Sequence, residues 1–187
     1  TAAFLLDLMA VRSVSGHAEN AVSLVKERLE SLGLPVKTTR KGSLWATLEG
    51  ETENGLVLAA HLDTLGAMVS SIRPDGTLRY RTVGGLTPGS VEGEYCLVET
   101  FDGRLISGTI LYEMTSVHAY GNEKAAAKRE HSDMYIRLDH PLKNAGDVKE
   151  LGVSVGNYVH FDPRPVFTES GYIKGRHLDD KAGAAVL

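Results

Sequence analysis

Apolar residues fall at every third or fourth position in the first part of the chain. Phe4, Leu5, Leu8 and Met9 have this spacing, and Ala18, Ala21, Val22, Val25, Leu29 and Leu32 repeat it over a longer stretch. Two helices with one apolar face each are therefore predicted. Ser15 or Gly16 supplies a start for the second helix, and Gly33 followed by Pro35 supplies its stop. The period then shortens. Residues 36–39 and 44–48 read as short strands. Leu56-Val57-Leu58-Ala59-Ala60 is apolar throughout, as expected of a strand buried on both faces in the parallel sheet of an α/β protein.

From residue 68 to residue 161 the helical rhythm nearly disappears and turn chemistry replaces it. Pro74-Asp75-Gly76 separates 68–73 from 77–82, and Asp102-Gly103 separates 95–101 from 104–111, which predicts two hairpins. Gly84-Gly85 and Pro88-Gly89 mark a loop, 134–138 a strand, the region around 147–151 a short helix, and 158–161 a closing strand. Residues 122–130, rich in Ala, Lys and Glu, read as a solvated helical turn or loop. This is the pattern of a small all-β module, a barrel. After Pro165 the α/β style returns, with a strand at 172–174 and a helix starting at Asp180. The expected fold class is α/β: a sheet-and-helix core formed by residues 1–67 and 162–187, with a β-barrel inserted at 68–161.

Charge and cysteine content narrow the function classes. The net charge of −4 is small and dispersed, so no basic stripe favours nucleic acid or a membrane surface. Cys96 is the only cysteine, which removes intrachain disulfides and Cys-cluster zinc sites and fits a buried thiol in the reducing cytoplasm. The apolar stretch at 4–11 is interrupted by Asp7 and is too short to span a bilayer.

Two segments carry the candidate chemistry. His61 and Asp63 are two residues apart at the end of the apolar run, so they project from one face where open α/β sheets place their ligands. An imidazole can ligate a metal while a neighbouring carboxylate takes the hydrogen bond of its other N–H. A surface His beside a turn-capping Asp is the competing reading. Asp179 and Asp180 lie at a strand-to-helix turn, where adjacent like charges repel unless a cation compensates them. An N-cap Asp followed by a first-turn Asp is the alternative there. The two segments together favour metal: a carboxylate bridging two divalent ions about 3.5–4 Å apart is a common design for amide hydrolysis.

The ordered set Ser13-Val14-Ser15-Gly16, Ala60-His61-Leu62-Asp63-Thr64-Leu65-Gly66-Ala67-Met68-Val69, Val91-Glu92-Gly93-Glu94-Tyr95-Cys96, Phe161-Asp162-Pro163-Arg164 and Gly171-Tyr172-Ile173-Lys174-Gly175-Arg176-His177-Leu178-Asp179-Asp180-Lys181 resembles the dinuclear metallo-aminopeptidases that include glutamyl aminopeptidase, the deblocking aminopeptidases and the tetrahedral archaeal aminopeptidases. The wording is closest to the deblocking branch, and the resemblance covers the whole chain. It implies that His61 and Asp179 are metal ligands, with Asp179 bridging, that Asp63 orients His61, that Asp180 supports the ligands from behind, and that a cis peptide joins Asp179 to Asp180. It also implies two zinc or cobalt ions per complete subunit, peptide substrates, and self-association into a homo-oligomer, commonly a tetrahedral dodecamer, partly through the barrel. The general-base Glu and the remaining ligands are expected beyond the position of Leu187, so the metallopeptidase core is expected to be incomplete and this chain alone inactive.

Lys181 stands where Arg is frequent in that family, and His177 where a small or apolar residue is frequent. Although His177 repeats the His-Leu-Asp wording of His61, it is not expected to be a ligand. His118 is a candidate substrate contact. His17, His131, His140 and His160 have no partner at ligand spacing and are expected in packing or surface roles, and Arg164 is expected to anchor the return from barrel to sheet. The function expected on this reading is removal of N-terminal residues from peptides by a metal-bridged hydroxide. The alternatives are a non-catalytic binding or assembly module, and a related metal-dependent deacylase or carboxypeptidase.

Overall fold

A computed structural model describes residues 1–51 and 54–187. The chain divides into two compact units, one formed by Thr1–Thr64 with Pro163–Leu187 and the other by Leu65–Asp162.

The first unit opens with helix α1 (Ala2–Ala10), which buries Leu5, Leu8 and Met9 on the predicted face. Helix α2 (Glu19–Ser31) follows, and the guanidinium of Arg28 lies over the ring of Phe4 on α1. Its N-cap is Ala18, which gives no side-chain cap, so neither Ser15 nor Gly16 starts this helix. Strands β1 (Val36–Thr38) and β2 (Leu44–Ala46) form an antiparallel pair, with the intervening turn closed by Thr39 N–H donating to the Ser43 carbonyl. The all-apolar run at 56–60 departs from expectation. It is not a strand, and Leu56, Val57 and Leu58 are 84%, 86% and 65% exposed. Apolar character makes a segment ready for burial, but a strand exists only where a neighbour completes its hydrogen-bond ladder. Among the described residues no strand pairs with this run. At its end Thr64 makes a single parallel bridge with Val14.

The second unit is a closed barrel. Strands β3 (Gly66–Ile72), β4 (Leu78–Val83), β5 (Tyr95–Glu99) and β6 (Leu105–Tyr112) lead to helix α3 (Val117–Ala125), strand β7 (Met134–Leu138), helix α4 (Ala145–Glu150) and strand β8 (Tyr158–Phe161). The order around the barrel is β3-β4-β7-β6-β5-β8, every pairing is antiparallel, and Ala67 opposite Val159 closes the ring. Closure leaves no unpaired sheet edge. The pleat explains the interior: along β6, Ile106, Gly108, Ile110 and Tyr112 point inward and meet Val98, Ile136, Met134 and Val159 in one core. Gly108 is required by close approach, since a Cβ there would stand 2.8 Å from the Arg137 carbonyl oxygen. Helix α3 begins earlier than the solvated turn expected at 122–130, with Ser116 capping Ala119 N–H and a break at Gly121. It buries none of its residues, so it left no apolar stripe for the sequence pattern to reveal. Helix α4 is capped by Asn144 through Gly146 and Asp147 N–H and buries Val148.

The chain returns to the first unit with strands β9 (Val166–Phe167) and β10 (Ile173–Lys174), an antiparallel pair, and ends in helix α5 (Leu178–Val186). Gly175 follows β10 because a Cβ there would meet the Pro163 carbonyl oxygen at 2.8 Å and the Met9 methyl at 2.6 Å. The observed architecture is a mixed α/β fold containing a closed six-stranded barrel. Among the described residues no helix is long and apolar enough to cross a membrane.

Candidate metal centre

The loop after the apolar run is held by the segment that follows α1. The Ser13 carbonyl and the Ser15 N–H set the register: Thr64 N–H donates to the Ser13 carbonyl at 2.8 Å and Ser15 N–H donates to the Thr64 carbonyl at 3.2 Å. The Ser13 hydroxyl, buried, donates to the Leu62 carbonyl at 2.8 Å, and the Ser15 hydroxyl donates to Asp63 Oδ2. Residues 62–64 are thereby clamped on both sides of Asp63.

Asp63 in turn faces His61. The imidazole Nδ1 is 3.0 Å from the Asp63 backbone carbonyl oxygen and 3.3 Å from its carboxylate Oδ1. Both are acceptors, so Nδ1 carries the proton and donates, which leaves Nε2 directed elsewhere. Nε2 lies 3.2 Å from Asp179 Oδ1. Burial acts most strongly on the His61 pKa and pulls it down, but the Asp63 carbonyl and carboxylate and the Asp179 carboxylate together outweigh it and raise the pKa above its ordinary 6.5. A cation on Nε2 is what this arrangement favours, and a proton is the simplest one.

Asp179 is presented by the elbow that begins α5. His177, just before the helix, adopts a left-handed conformation (φ 70°), and the peptide between Asp179 and Asp180 is cis. Neither Asp179 (ψ 107°) nor Asp180 (φ −123°) has helical dihedrals, so the regular helix starts at Lys181. The two adjacent acids consequently diverge. Asp180 Oδ1 accepts from Gly183 N–H at 3.1 Å and caps the helix, the bland alternative for one member of the pair. Asp179 is 96% exposed in its side chain and faces His61.

Lys181 is fully buried, and its ammonium donates to the carbonyls of Leu8 at 2.9 Å and Val11 at 2.6 Å, at the end of α1. Burial depresses its pKa to about 8.

The structure thus brings together His61, Asp63 and Asp179, and directs the Asp180 carboxylate into its own helix. His177 sits at the elbow, while His118 lies exposed in α3 of the barrel unit. Elsewhere, His131 bonds the Leu86 carbonyl at 2.8 Å and abuts Tyr80, buried His160 pairs with Glu99 at 2.8 Å, and His17 lies 3.5 Å from Glu19. Ser13, Ser15 and Lys181 are the parts of the site that sequence reasoning missed. The signal was a pair of hydroxyls that cap nothing, and a lysine opening an otherwise small and apolar helix.

The donor set suits a metal ion. Two ligands on one tetrahedral zinc, with bonds near 2.0–2.1 Å, lie about 3.3 Å apart, and His61 Nε2 and Asp179 Oδ1 are separated by 3.2 Å. Imidazole with carboxylate favours zinc or cobalt over magnesium or calcium.

Comparison with known proteins agrees in family. Residues 42–187 match the M42 glutamyl aminopeptidase family. The chain belongs to this family. YhfE of Bacillus subtilis (strain 168), which carries a provisional aminopeptidase name, is 43% identical over 188 residues, covering 100% of this chain and 54% of that protein. The glutamyl aminopeptidase of Lactococcus lactis is 26% identical over 186 residues, covering 96% of this chain and 51% of that protein. The TET aminopeptidase of a marine-sediment Thaumarchaeota archaeon superposes with a TM-score of 0.84 at 25% identity, over 97% of this chain and 50% of that one. The PhTET1-12s structure, described as a dodecamer in the asymmetric unit, superposes with a TM-score of 0.81 at 23% identity, over 99% of this chain and 52% of that one, which shows a shared fold. The M42 chain described here spans about half the length of the curated relatives it matches.

Proposed function

We propose that this M42 chain contributes the first part of a dinuclear metal centre to an aminopeptidase that removes N-terminal residues from peptides. The observation that carries the reading is the 3.2 Å approach of His61 Nε2 to Asp179 Oδ1, a spacing suited to a shared ion. Two divalent ions, zinc or cobalt, would supply Lewis acidity and activate water for attack on the first peptide bond. His61 and Asp179 would hold the ions. Asp63 fixes the imidazole tautomer by accepting from Nδ1, Ser15 fixes Asp63, and Asp180 secures the elbow by capping α5. The general-base Glu and the further ligands that such a centre requires are assigned outside these 187 residues.

The domain boundaries follow the same reading: 1–67 with 162–187 as the catalytic part, and 68–161 as the barrel used for self-association and substrate contact. The TET1 relative described as a dodecamer supports homo-oligomerisation, and the single buried thiol supports a cytoplasmic location.

The test is hydrolysis by the protein expressed from its complete reading frame. Peptides with a free amino terminus should lose their first residue in added cobalt or zinc, acetylated copies should not, and a chelator should abolish the reaction. Equal cleavage of acetylated peptides, or cleavage from the carboxyl end, would contradict the aminopeptidase assignment in favour of a deacylase or carboxypeptidase.

A further inference from the structure

Lys181 has no role in the chemistry proposed above, yet it is the largest charged side chain wholly removed from solvent among the described residues. Among those residues no carboxylate forms an ion pair with it; its ammonium donates to the carbonyls of Leu8 and Val11, 173 and 170 residues away in sequence. A buried ammonium without an anionic partner is unfavourable unless dipoles replace its hydration. The end of α1 supplies them. The last carbonyls of a helix carry its partial negative charge and lack the usual N–H partner four residues on. Leu8 lies in the last turn of α1 and Val11 is its C-cap.

The consequence reaches Asp179. Only Asp180 separates it from Lys181, and the chain adopts non-helical dihedrals at both Asp179 and Asp180. At the two acids themselves the restraints are local: the Asp179 side chain is 96% exposed, and Asp180 Oδ1 accepts from Gly183 N–H in α5. Arg176 N–H ties the start of the elbow to the Pro163 carbonyl at 2.8 Å, and the Lys181 ammonium ties its base to the end of α1. The same stretch of chain, a few residues further on, fixes the other half of the site, because Ser13 and Ser15 clamp residues 62–64. Residues 8–15 therefore act as a common frame for His61 and Asp179.

We propose that Lys181 is a positioning residue for the metal centre: by donating to the end of α1 it holds the Asp179 elbow at the separation from His61 that an ion requires. This rests on the metal reading above. It assigns no proton transfer to Lys181.

Cobalt binding and the metal-free geometry test it, in the protein expressed from its complete reading frame. Lys181→Met keeps the length and bulk of the side chain and removes the donors, and Lys181→Arg keeps donors on a cation. In folded protein, Lys181→Met should weaken cobalt binding roughly 10- to 100-fold, the range for residues that orient metal ligands, and Lys181→Arg should restore most of it. In metal-free crystals, Lys181→Met should part His61 Nε2 from Asp179 Oδ1 beyond the 3.2 Å seen here. Wild-type affinity with an unchanged separation in Lys181→Met would overturn the proposal, as would Lys181→Arg binding no better than Lys181→Met. Should Lys181→Met fail to fold, Lys181→Gln, with a shorter, neutral donor, takes its place. It should bind cobalt more weakly than Lys181→Arg, and equal binding would overturn the proposal. Absence of cobalt binding in the wild type would instead refute the metal reading itself, and this proposal with it.

Discussion

The Nε2 of His61 and the Oδ1 of Asp179 stand 3.2 Å apart across 118 residues of sequence, and both side chains are solvent-accessible. His61 Nδ1 donates to the Asp63 carbonyl and the Ser15 hydroxyl fixes Asp63, while Asp179 is carried on the elbow at the start of α5 with its side chain 96% exposed.

Because the Asp179 side chain is 96% exposed, its removal should separate metal binding from folding. Asp179→Ala is expected to lower zinc content roughly tenfold or more while changing unfolding free energy by no more than about 0.5 kcal/mol. Elemental analysis paired with thermal melting measures both. Unchanged zinc stoichiometry would remove Asp179 from the centre.

Ser15 acts one step further out, through Asp63 onto His61. Ser15→Ala should weaken zinc binding by about tenfold, and Ser15→Thr, which keeps the hydroxyl, should recover it. Titration calorimetry distinguishes them; identical affinities in all three proteins would show that the hydroxyl does not set the imidazole.

The contrast between these residues and the rest of the fold shows what the sequence could disclose. Barrel strands such as β7 and β8 were legible to the residue, because alternation and glycine turns are local and the inward positions of a closed barrel repeat every second residue. Residues 56–60 misled for the complementary reason: an all-apolar run reports readiness to be buried, and nothing local reports whether a neighbour is there. The divergence of Asp179 and Asp180 was equally hidden. Adjacent acids at a helix start permit both a cap and a ligand, and the elbow assigns one task to each. Ser15 resembles any helix cap in sequence, and only the tertiary contact with Asp63 reveals its use.

In the barrel, Gly108 faces the core where the Arg137 carbonyl would lie 2.8 Å from an added Cβ. Gly108→Ala is expected to destabilise the protein by about 1–3 kcal/mol, the usual penalty of overpacking. Urea denaturation checks this, and an unchanged midpoint would show that β6 and β7 can separate freely.

Alkaline stability should depend on Cys96. Burial, reinforced by the charge of Asp139, pushes its thiol from 9.0 up to about 12. The folded protein keeps a proton that the unfolded chain loses in that interval, so this contribution is fully present below pH 9 and declines as pH rises toward 12. The decline approaches about 1.4 kcal/mol per pH unit. Tyr80, also raised to about 12 by burial, adds to it above pH 10. Cys96→Ala should flatten the loss between pH 9 and 10, as read from urea midpoints; a slope equal to the wild type would place the thiol in a solvated environment.

The central claim is that His61 and Asp179 share an ion. Anomalous diffraction at the zinc edge, from crystals of the complete protein grown with zinc, tests it most directly. A peak is expected about 2.0–2.2 Å from both His61 Nε2 and an Asp179 carboxylate oxygen. A peak bound to His61 with Asp179 turned away, or zinc found only elsewhere in the molecule, would contradict it.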